Sequence, residues 1–248
     1  MGYAYRLEMR KSRKREHDVA ELPNYSLFEA ARYFHVPFST VEYWTNEPNP
    51  IVKLASNRPR MLSFKNLVEF YVLEGLRHIH GLKLPAIRDA VEDLLEHENS
   101  EHPLADFELQ TLDRKYLVFR RQGAVLNASL HGQYEIPDWA TPYLKRVDRD
   151  VHGRAQKIHP FMKRSQIQAD AEPPQTVVID PNVCFGLPVL LGSRITTGFL
   201  ASRSRGGDSV SAIARSYGRP VAEIKEAIEW ETGRPVKELP QESHVLFG

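Results

Sequence analysis

The stretch VIDPNVCFGLPVLLGSRI, residues 178–195, decides how the C-terminal part of this chain folds. It opens on an apolar run, and Gly186, Pro188 and Gly192 then interrupt the chain at short intervals. Glycine and proline at such spacing favour tight turns between short extended segments. The sequence therefore predicts a strand at residues 176–179, followed by a compact region of strand and turns.

Two helices are predicted after this region. Asp208 is placed to cap the first helix, and Gly218 to end it. Pro220 is placed in the first turn of the second helix, which Gly233 ends. The apolar positions between these residues recur at helical spacing. We therefore expect residues 176–248 to fold as a unit and to act without the rest of the chain.

A second signal lies at the opposite end. Ser26 and Glu29 have the spacing of a capping box, in which each side chain satisfies the other residue's backbone amide. Residues 35–37 interrupt the helix that follows. Ser39 and Glu42 repeat the capping spacing and predict a second short helix. Two helices joined by so short a connection predict a helix-turn-helix.

A wing and two longer helices are predicted next. Residues 51–54 and 60–62 are candidate extended segments around a turn at residues 57–59. Ser63 is placed to cap a third helix, and Pro85 lies where the first turn of a fourth helix tolerates proline.

The predicted fold class is mainly α (α+β), in four segments. Residues 1–22 form a basic N-terminal tail, and residues 23–96 form a winged helix-turn-helix. Residues 97–175 form a small β-rich middle with a linker, and residues 176–248 form the C-terminal domain with its tail. A chain of 248 residues is long enough for two or three such units.

Composition narrows the class of protein. The chain is 42% hydrophobic and 26% charged, which is ordinary for a soluble globular protein, and its net charge of +1 gives no general attraction to nucleic acid. A single cysteine, Cys184, excludes internal disulfides and fits a reducing cytoplasm. The sequence contains no signal-peptide pattern and no apolar segment that could span a membrane. We expect a cytoplasmic protein without a cofactor.

The N-terminal segments YSLFEAARYFHVP (25–37), TVEYW (40–44), LSFKNL (62–67) and GLKLPAIR (81–88) resemble the DNA-binding domain of the MerR family. The resemblance covers residues 24–95 and implies a DNA-binding winged helix-turn-helix. The family usually has an arginine in its recognition helix where this chain has Glu42. An acidic side chain beside phosphates is repelled, so this departure weakens the expected DNA contact.

The C-terminal segments IDP (179–181), FGLPV (185–189), GSRI (192–195), GGDS (206–209) and AIEWE (227–231) resemble domain-of-unknown-function family 433. Phe185 and Ser193 replace the family's usual glycine and threonine. Members of this family often act as antitoxin-type partners of small PIN-domain ribonucleases. A MerR-like head joined to this tail resembles a VapB-type antitoxin, which implies a PIN-domain toxin and operator DNA as partners.

Candidate DNA contacts follow from the helix-turn-helix. The recognition helix would present Ser39, Thr40 and Tyr43 to base edges. The basic residues of the first helix and the wing would hold phosphates, and these are Arg32, Lys53, Arg58 and Arg60. Because a two-fold operator needs two such heads, we expect a homodimer.

Candidate toxin contacts follow from the tail. Arg194 comes after a Gly-Ser turn, and Arg203 and Arg205 precede two glycines. A guanidinium pairs in a two-pronged manner with carboxylates, which a PIN ribonuclease uses to hold its metal ions. The apolar triplet Val245, Leu246 and Phe247 is a further candidate for toxin contact.

The other functional classes receive less support. Cys184 has no candidate base nearby in the sequence, and no nucleotide-binding or nucleophile motif is present, so we predict that the protein is not an enzyme. His78 and His80 point apart on a helix and match no strong zinc spacing, so no metal site is predicted. Two alternatives remain open: a MerR-like, ligand-responsive transcription regulator without a toxin, and a protein-interaction adaptor.

Overall fold

The computed structural model describes residues 18–46, 48, 50–78, 83–97, 100–106, 109–112, 116–121, 124–127, 132–133, 146–161 and 175–236. Helices and small antiparallel sheets make up these ranges, which confirms the mainly α (α+β) class. The tail residues 1–17 and the candidate contacts Val245, Leu246 and Phe247 lie outside the described residues. Within the described ranges, no helix combines the length and apolar character needed to cross a membrane.

The N-terminal module, here called the head, combines short helices with a three-stranded sheet. Its strands are β1 (Tyr25–Ser26), β2 (Ser56–Asn57) and β3 (Arg60–Leu62), in the antiparallel order β1–β3–β2. Helices α1 (Leu27–Tyr33) and α2 (Phe38–Thr45) lie between β1 and β2. The predicted capping box is present, because Glu29 N donates to Ser26 Oγ at 3.2 Å and Ser26 N donates to Glu29 Oε2 at 2.7 Å.

Two local predictions in the head are wrong. Helix α2 begins at Phe38, with Pro37 as its N-cap and no side-chain capping bond, so Ser39 and Glu42 form no capping box. The strand predicted at residues 51–54 is absent, since Ile51 and Val52 are buried and their amides donate to Trp44 O at 2.9 and 3.1 Å. Those bonds fold the chain back onto the end of α2, and the wing hairpin starts only at Ser56.

Helix α3 (Phe64–His78) is the central element of the head. As predicted, Ser63 caps it, with Asn66 N donating to Ser63 Oγ at 3.2 Å. Helices α4 (Leu84–His97) and α5 (Pro103–Asp106) follow it. Lys65 on α3 pairs with Glu21 at 2.9 Å and Asp106 at 3.4 Å, so residues 18–22 pack against the head.

The described residues in the middle of the chain form two antiparallel sheets. The first has the order β4 (Leu109–Leu112), β5 (Tyr116–Arg121), β6 (Ala124–Asn127) and β7 (Gly132–Gln133). The second is a hairpin of β8 (Val147–Arg149) and β9 (Ala155–Ile158), which the charged sequence of this region did not reveal. A β-bridge between Ile158 and Ile179 connects this hairpin to the tail.

The described part of the C-terminal module, here called the tail, contains a two-stranded sheet and three α-helices. Strands β10 (Val177–Val178) and β11 (Val189–Leu190) pair antiparallel. They are followed by α6 (Thr197–Arg205), α7 (Val210–Tyr217) and α8 (Val221–Thr232). Helix α6 was not predicted, and Ser209 rather than Asp208 caps α7 through a 3.2 Å bond from Ala212 N. Gly218 and Gly233 end α7 and α8 in the left-handed conformation, as expected.

Head and tail share one hydrophobic core. The buried cluster runs from Ala20 through α3 and the β8–β9 hairpin to Trp230. Tyr33 at the end of α1 stacks on Trp230 of α8, with ring centroids 5.3 Å apart and planes 22° apart. Stacking of two buried rings contributes about 0.5–1.5 kcal/mol beyond the area they bury. The two modules are therefore packed against each other rather than joined only by a linker.

Candidate interaction surfaces

The predicted recognition helix presents a polar face to solvent. Ser39 is exposed on α2, Thr40 is half-buried, and Tyr43 is 58% exposed. Val41 and Trp44 lie on the opposite face, where they are buried against the core. The structure therefore brings the three predicted base contacts together on one accessible surface.

The wing lies beside that helix. Arg60 donates to Thr45 Oγ1 at 3.0 Å and to Asn46 Oδ1 at 3.2 Å, and its guanidinium lies 3.9 Å from Glu42. These contacts tie β3 to the end of α2. Arg58 and Lys53 are exposed. Of the predicted phosphate contacts of the wing, Arg60 therefore lies beside α2, and it partly offsets the charge of Glu42.

Arg32 lies apart from this surface. Its guanidinium forms an ion pair with Glu231 Oε1 and donates to Glu231 O at 3.1 Å, and its side chain is 34% exposed. Burial lowers the pKa of Arg32, but the bond and charge of Glu231 outweigh burial and raise it. Thr197 Oγ1 also donates to Glu231 Oε2 at 2.6 Å. Arg32 therefore joins head to tail, through a partner too distant in sequence for local patterns to reveal.

The tail arginines occupy different surroundings. Arg203 and Arg205 are in the last turn of α6, directly before the two glycines, so they lie on a helix and not on a loop. Arg203 Nε donates to Asp208 Oδ2 at 2.6 Å, and its guanidinium lies 5.6 Å from the centre of the Tyr217 ring. Arg203 thus closes the connection between α6 and α7, whereas Arg205 is exposed.

Arg194 lines a groove between head and tail. The groove has a volume of about 620 Å³, and its walls come from Val19, Leu22 and Tyr25 of the head and from Cys184 and Phe185 of the tail. Arg194 itself is exposed. The sequence pointed to Arg194 but not to the head residues of this groove, because they approach it only in the folded chain.

The backbone beside the groove is strained. Cys184 and Phe185 have φ of 48° and 57°, and Gly186 follows with φ of 77°. A non-glycine residue in the left-handed region costs roughly 1–2 kcal/mol. Phe185 is nevertheless 89% exposed, so its own side-chain burial does not offset that cost.

Two residues of the head hold this strained turn. Asn24 Nδ2 donates to Phe185 O at 2.7 Å, and the Tyr25 hydroxyl donates to Gly186 O at 2.9 Å. Burial raises the pKa of Tyr25, so its hydroxyl stays protonated and remains a donor. A Cβ at Gly186 would lie 2.2 Å from Tyr25 Oη, so only glycine permits this approach.

Comparison with protein families finds a match for the tail. Residues 177–230 match the family described as "Protein of unknown function (DUF433)". The matched range begins at β10 and ends in α8, so it contains the strained turn, Arg194 and Trp230. The resemblance found in the sequence is confirmed for this segment.

Comparison with whole proteins extends the similarity to the head. "Putative antitoxin VapB45" of Mycobacterium tuberculosis is 26% identical over 238 residues, covering 84% of this chain and 94% of that protein. "Uncharacterized protein Rv2308" of the same organism is 24% identical over 224 residues, covering 83% and 89%. The crystal structure of Rv2018 from M. tuberculosis has the same fold, with a TM-score of 0.57 and 23% identity over 84% of this chain and 97% of that one.

Proposed function

We propose that this protein is the antitoxin of a type II toxin–antitoxin system. It would neutralise a PIN-domain ribonuclease and bind operator DNA as an autorepressor, and it would have no catalytic activity of its own. The observation that carries the proposal is the similarity to VapB45, which spans 84% of this chain and therefore includes the head as well as the tail. A tail-only match would leave the role of the head open.

The head supports the DNA-binding half of the proposal. Ser39, Thr40 and Tyr43 would contact base edges, because a recognition helix reads the DNA sequence through its exposed side chains. Arg58, Arg60 and Lys53 would contact phosphates beside it. Two copies related by a two-fold axis would match a palindromic operator, so we propose a homodimer as the DNA-bound form. Because Arg32 is held by Glu231, we propose for it a structural role instead of a phosphate contact.

The tail supports the toxin-binding half. Arg194 and Phe185 are both exposed and line the same groove, and arginine is enriched at binding hot spots. Arg205 adds a second exposed guanidinium on α6. These side chains would pair with carboxylates of the ribonuclease.

Coexpression with the product of the adjacent gene tests the antitoxin role. The expected result is a stable complex in size measurements, together with rescue of growth from the toxin. Arg194→Gln should weaken both, whereas Arg215→Gln, which changes an exposed arginine of α7, should leave both intact. A wild-type chain that forms no complex and rescues no growth would refute the antitoxin role.

A further inference from the structure

The groove at the junction of head and tail has an unusual lining. It is mainly apolar, with Val19, Leu22 and Phe185 exposed along it. Among the described residues that line the groove, Arg194 is the one charged side chain. Apolar walls with a single basic group resemble the recognition sites of short peptide segments.

We propose that this groove binds an extended protein segment that carries a large apolar side chain next to a carboxylate. The apolar side chain would enter between Leu22 and Phe185, and the carboxylate would pair with Arg194. The inference rests on the proposed function in one respect: the segment would belong to the toxin. It goes further by naming the chemistry of that segment and by making the head part of the toxin-binding surface.

The positive charge of Arg194 favours a bound segment that carries a carboxylate. Within the described chain, no carboxylate forms an ion pair with Arg194, whereas Arg32, Arg203 and Arg219 are each paired. A bound segment would cover the exposed guanidinium and exclude water from it, so a carboxylate that reaches Arg194 in the complex gains more than in open solvent. A purely apolar segment would leave Arg194 partly desolvated without a partner, which costs free energy.

The strained turn indicates that the groove is a binding surface. Cys184 and Phe185 both have positive φ, and the turn displays a phenyl ring that is 89% exposed. Strain of this kind persists where the surrounding structure imposes it, and it is concentrated at binding and active sites. The bonds from Asn24 and Tyr25 impose it here. The head therefore positions the side chain that the tail presents.

A small probe tests the groove without the toxin. We would titrate the ¹⁵N-labelled full chain with N-acetyl-phenylalaninate, which joins a phenyl ring to a carboxylate. N-acetyl-phenylalaninamide is the uncharged control. Saturable shifts of the amide signals of Phe185, Gly186 and Arg194 are expected for the carboxylate, with a dissociation constant of about 1–10 mM for so few atoms. The amide should bind roughly tenfold more weakly, since it lacks the charge-assisted bond.

Two variants assign the parts of the groove. Arg194→Gln should bind both probes equally weakly, because the charge preference disappears. Tyr25→Phe removes the hydroxyl that holds Gly186 and should weaken both probes together while leaving their ratio unchanged. Val151→Ala changes an apolar residue that is 95% exposed outside the groove and should have no effect. Thermal unfolding of each variant verifies that the fold is retained.

The outcomes separate the groove from the antitoxin role. No saturable shift up to the solubility limit, or equal binding of the two probes to the wild-type chain, would overturn the proposal. Probe binding combined with normal toxin complexes of Arg194→Gln and Tyr25→Phe would also overturn it, because the groove would not be the toxin site. Probe binding by a chain that forms no toxin complex would refute the proposed function and leave only the chemistry of the groove supported.

Discussion

Phe185 shows how one residue can serve binding at the expense of stability. Its φ of 57° suits glycine, which is the residue that the family resembled by the tail usually has at this position. The phenyl ring is almost fully exposed, so packing inside the chain does not explain its presence. A side chain kept under strain and in solvent fits a contact made in the complex.

Phe185→Gly should therefore stabilise the free protein and weaken its complex. Relief of the left-handed strain, less the added chain entropy of glycine in the unfolded state, should raise the free energy of unfolding by about 0.5–1 kcal/mol. Thermal unfolding and the affinity for the coexpressed toxin are the two measurements. Leu187→Gly, at an exposed residue with φ of −66°, is the matched control and should not be stabilised. Loss of stability in Phe185→Gly would contradict the strain argument.

His102 and Glu69 form a buried pair between α3 and the start of α5. His102 Nδ1 lies 3.1 Å from Glu69 Oε2, and Asn66 Nδ2 donates to the same carboxylate at 3.1 Å. Burial lowers the pKa of His102, but the bond and charge of Glu69 outweigh burial and raise it. Burial raises the pKa of Glu69. Both groups thus hold protons more tightly in the folded state than in the unfolded state.

Stability should therefore fall as pH rises. A raised histidine pKa contributes stabilisation that is complete below the unfolded value near 6.5 and is lost as pH rises through the folded value, and the raised pKa of Glu69 acts in the same direction. We expect the melting temperature to fall as pH rises above about 6.5, by about 2–4 °C for each kcal/mol lost. In His102→Gln the melting temperature should fall less over the same pH range than it does in the wild-type chain. An equal fall in the variant would assign the pH dependence to other groups.

At the scale of elements, the sequence located those whose determinants are local. The capping box at Ser26 and the C-terminal glycines Gly218 and Gly233 depend on residues a few positions apart, and each is present as predicted. Helix α6 was missed because its residues TGFLASRSR carry few apolar positions, and it is held by packing on α8. The groove was also missed, because Leu22 and Arg194 are far apart in the sequence and line the groove together only in the folded chain.

Two neighbouring arginines of the wing differ in their contacts, so their substitution should have different effects. Arg58 is exposed, whereas Arg60 also donates to Thr45 and Asn46 at the end of α2. Arg58→Ala should weaken binding to all DNA sequences and leave the melting temperature unchanged. It should also reduce by about one the magnitude of the salt slope, which is the slope of log affinity against log salt concentration. Arg60→Ala should weaken DNA binding and also loosen the wing.

Affinity for promoter DNA at several salt concentrations, together with thermal unfolding, measures both effects. Arg32→Met is the control, because Arg32 is paired with Glu231. It should lower stability and leave the salt slope of the folded protein unchanged. A reduced slope in Arg32→Met would restore Arg32 as a phosphate contact, and an unchanged slope in Arg58→Ala would remove Arg58 from the DNA surface.

At the scale of the whole molecule, the shared core argues against independent modules. The sequence predicted a tail that folds alone, since it has its own strands and helix-ending glycines. In the folded chain, Trp230 is buried against Tyr33 of the head, and Ile179 is bridged to Ile158 of the middle. A fragment of residues 176–248 would expose these surfaces to water.

The full chain should consequently lose head and tail structure in one cooperative transition. Trp230→Ala removes a buried aromatic side chain and should lower the free energy of unfolding by about 3–5 kcal/mol. Because the core is continuous, hydrogen exchange should accelerate in α1 and α3 as well as in α8. Val221→Ala changes an exposed residue of the same helix; it is the control for Trp230→Ala and should change little.

The fragment of residues 176–248 should melt at a lower temperature than the full chain, since it lacks Tyr33 and Arg32. Faster exchange confined to α8, or a fragment that melts with the full chain, would show that head and tail are thermodynamically separate.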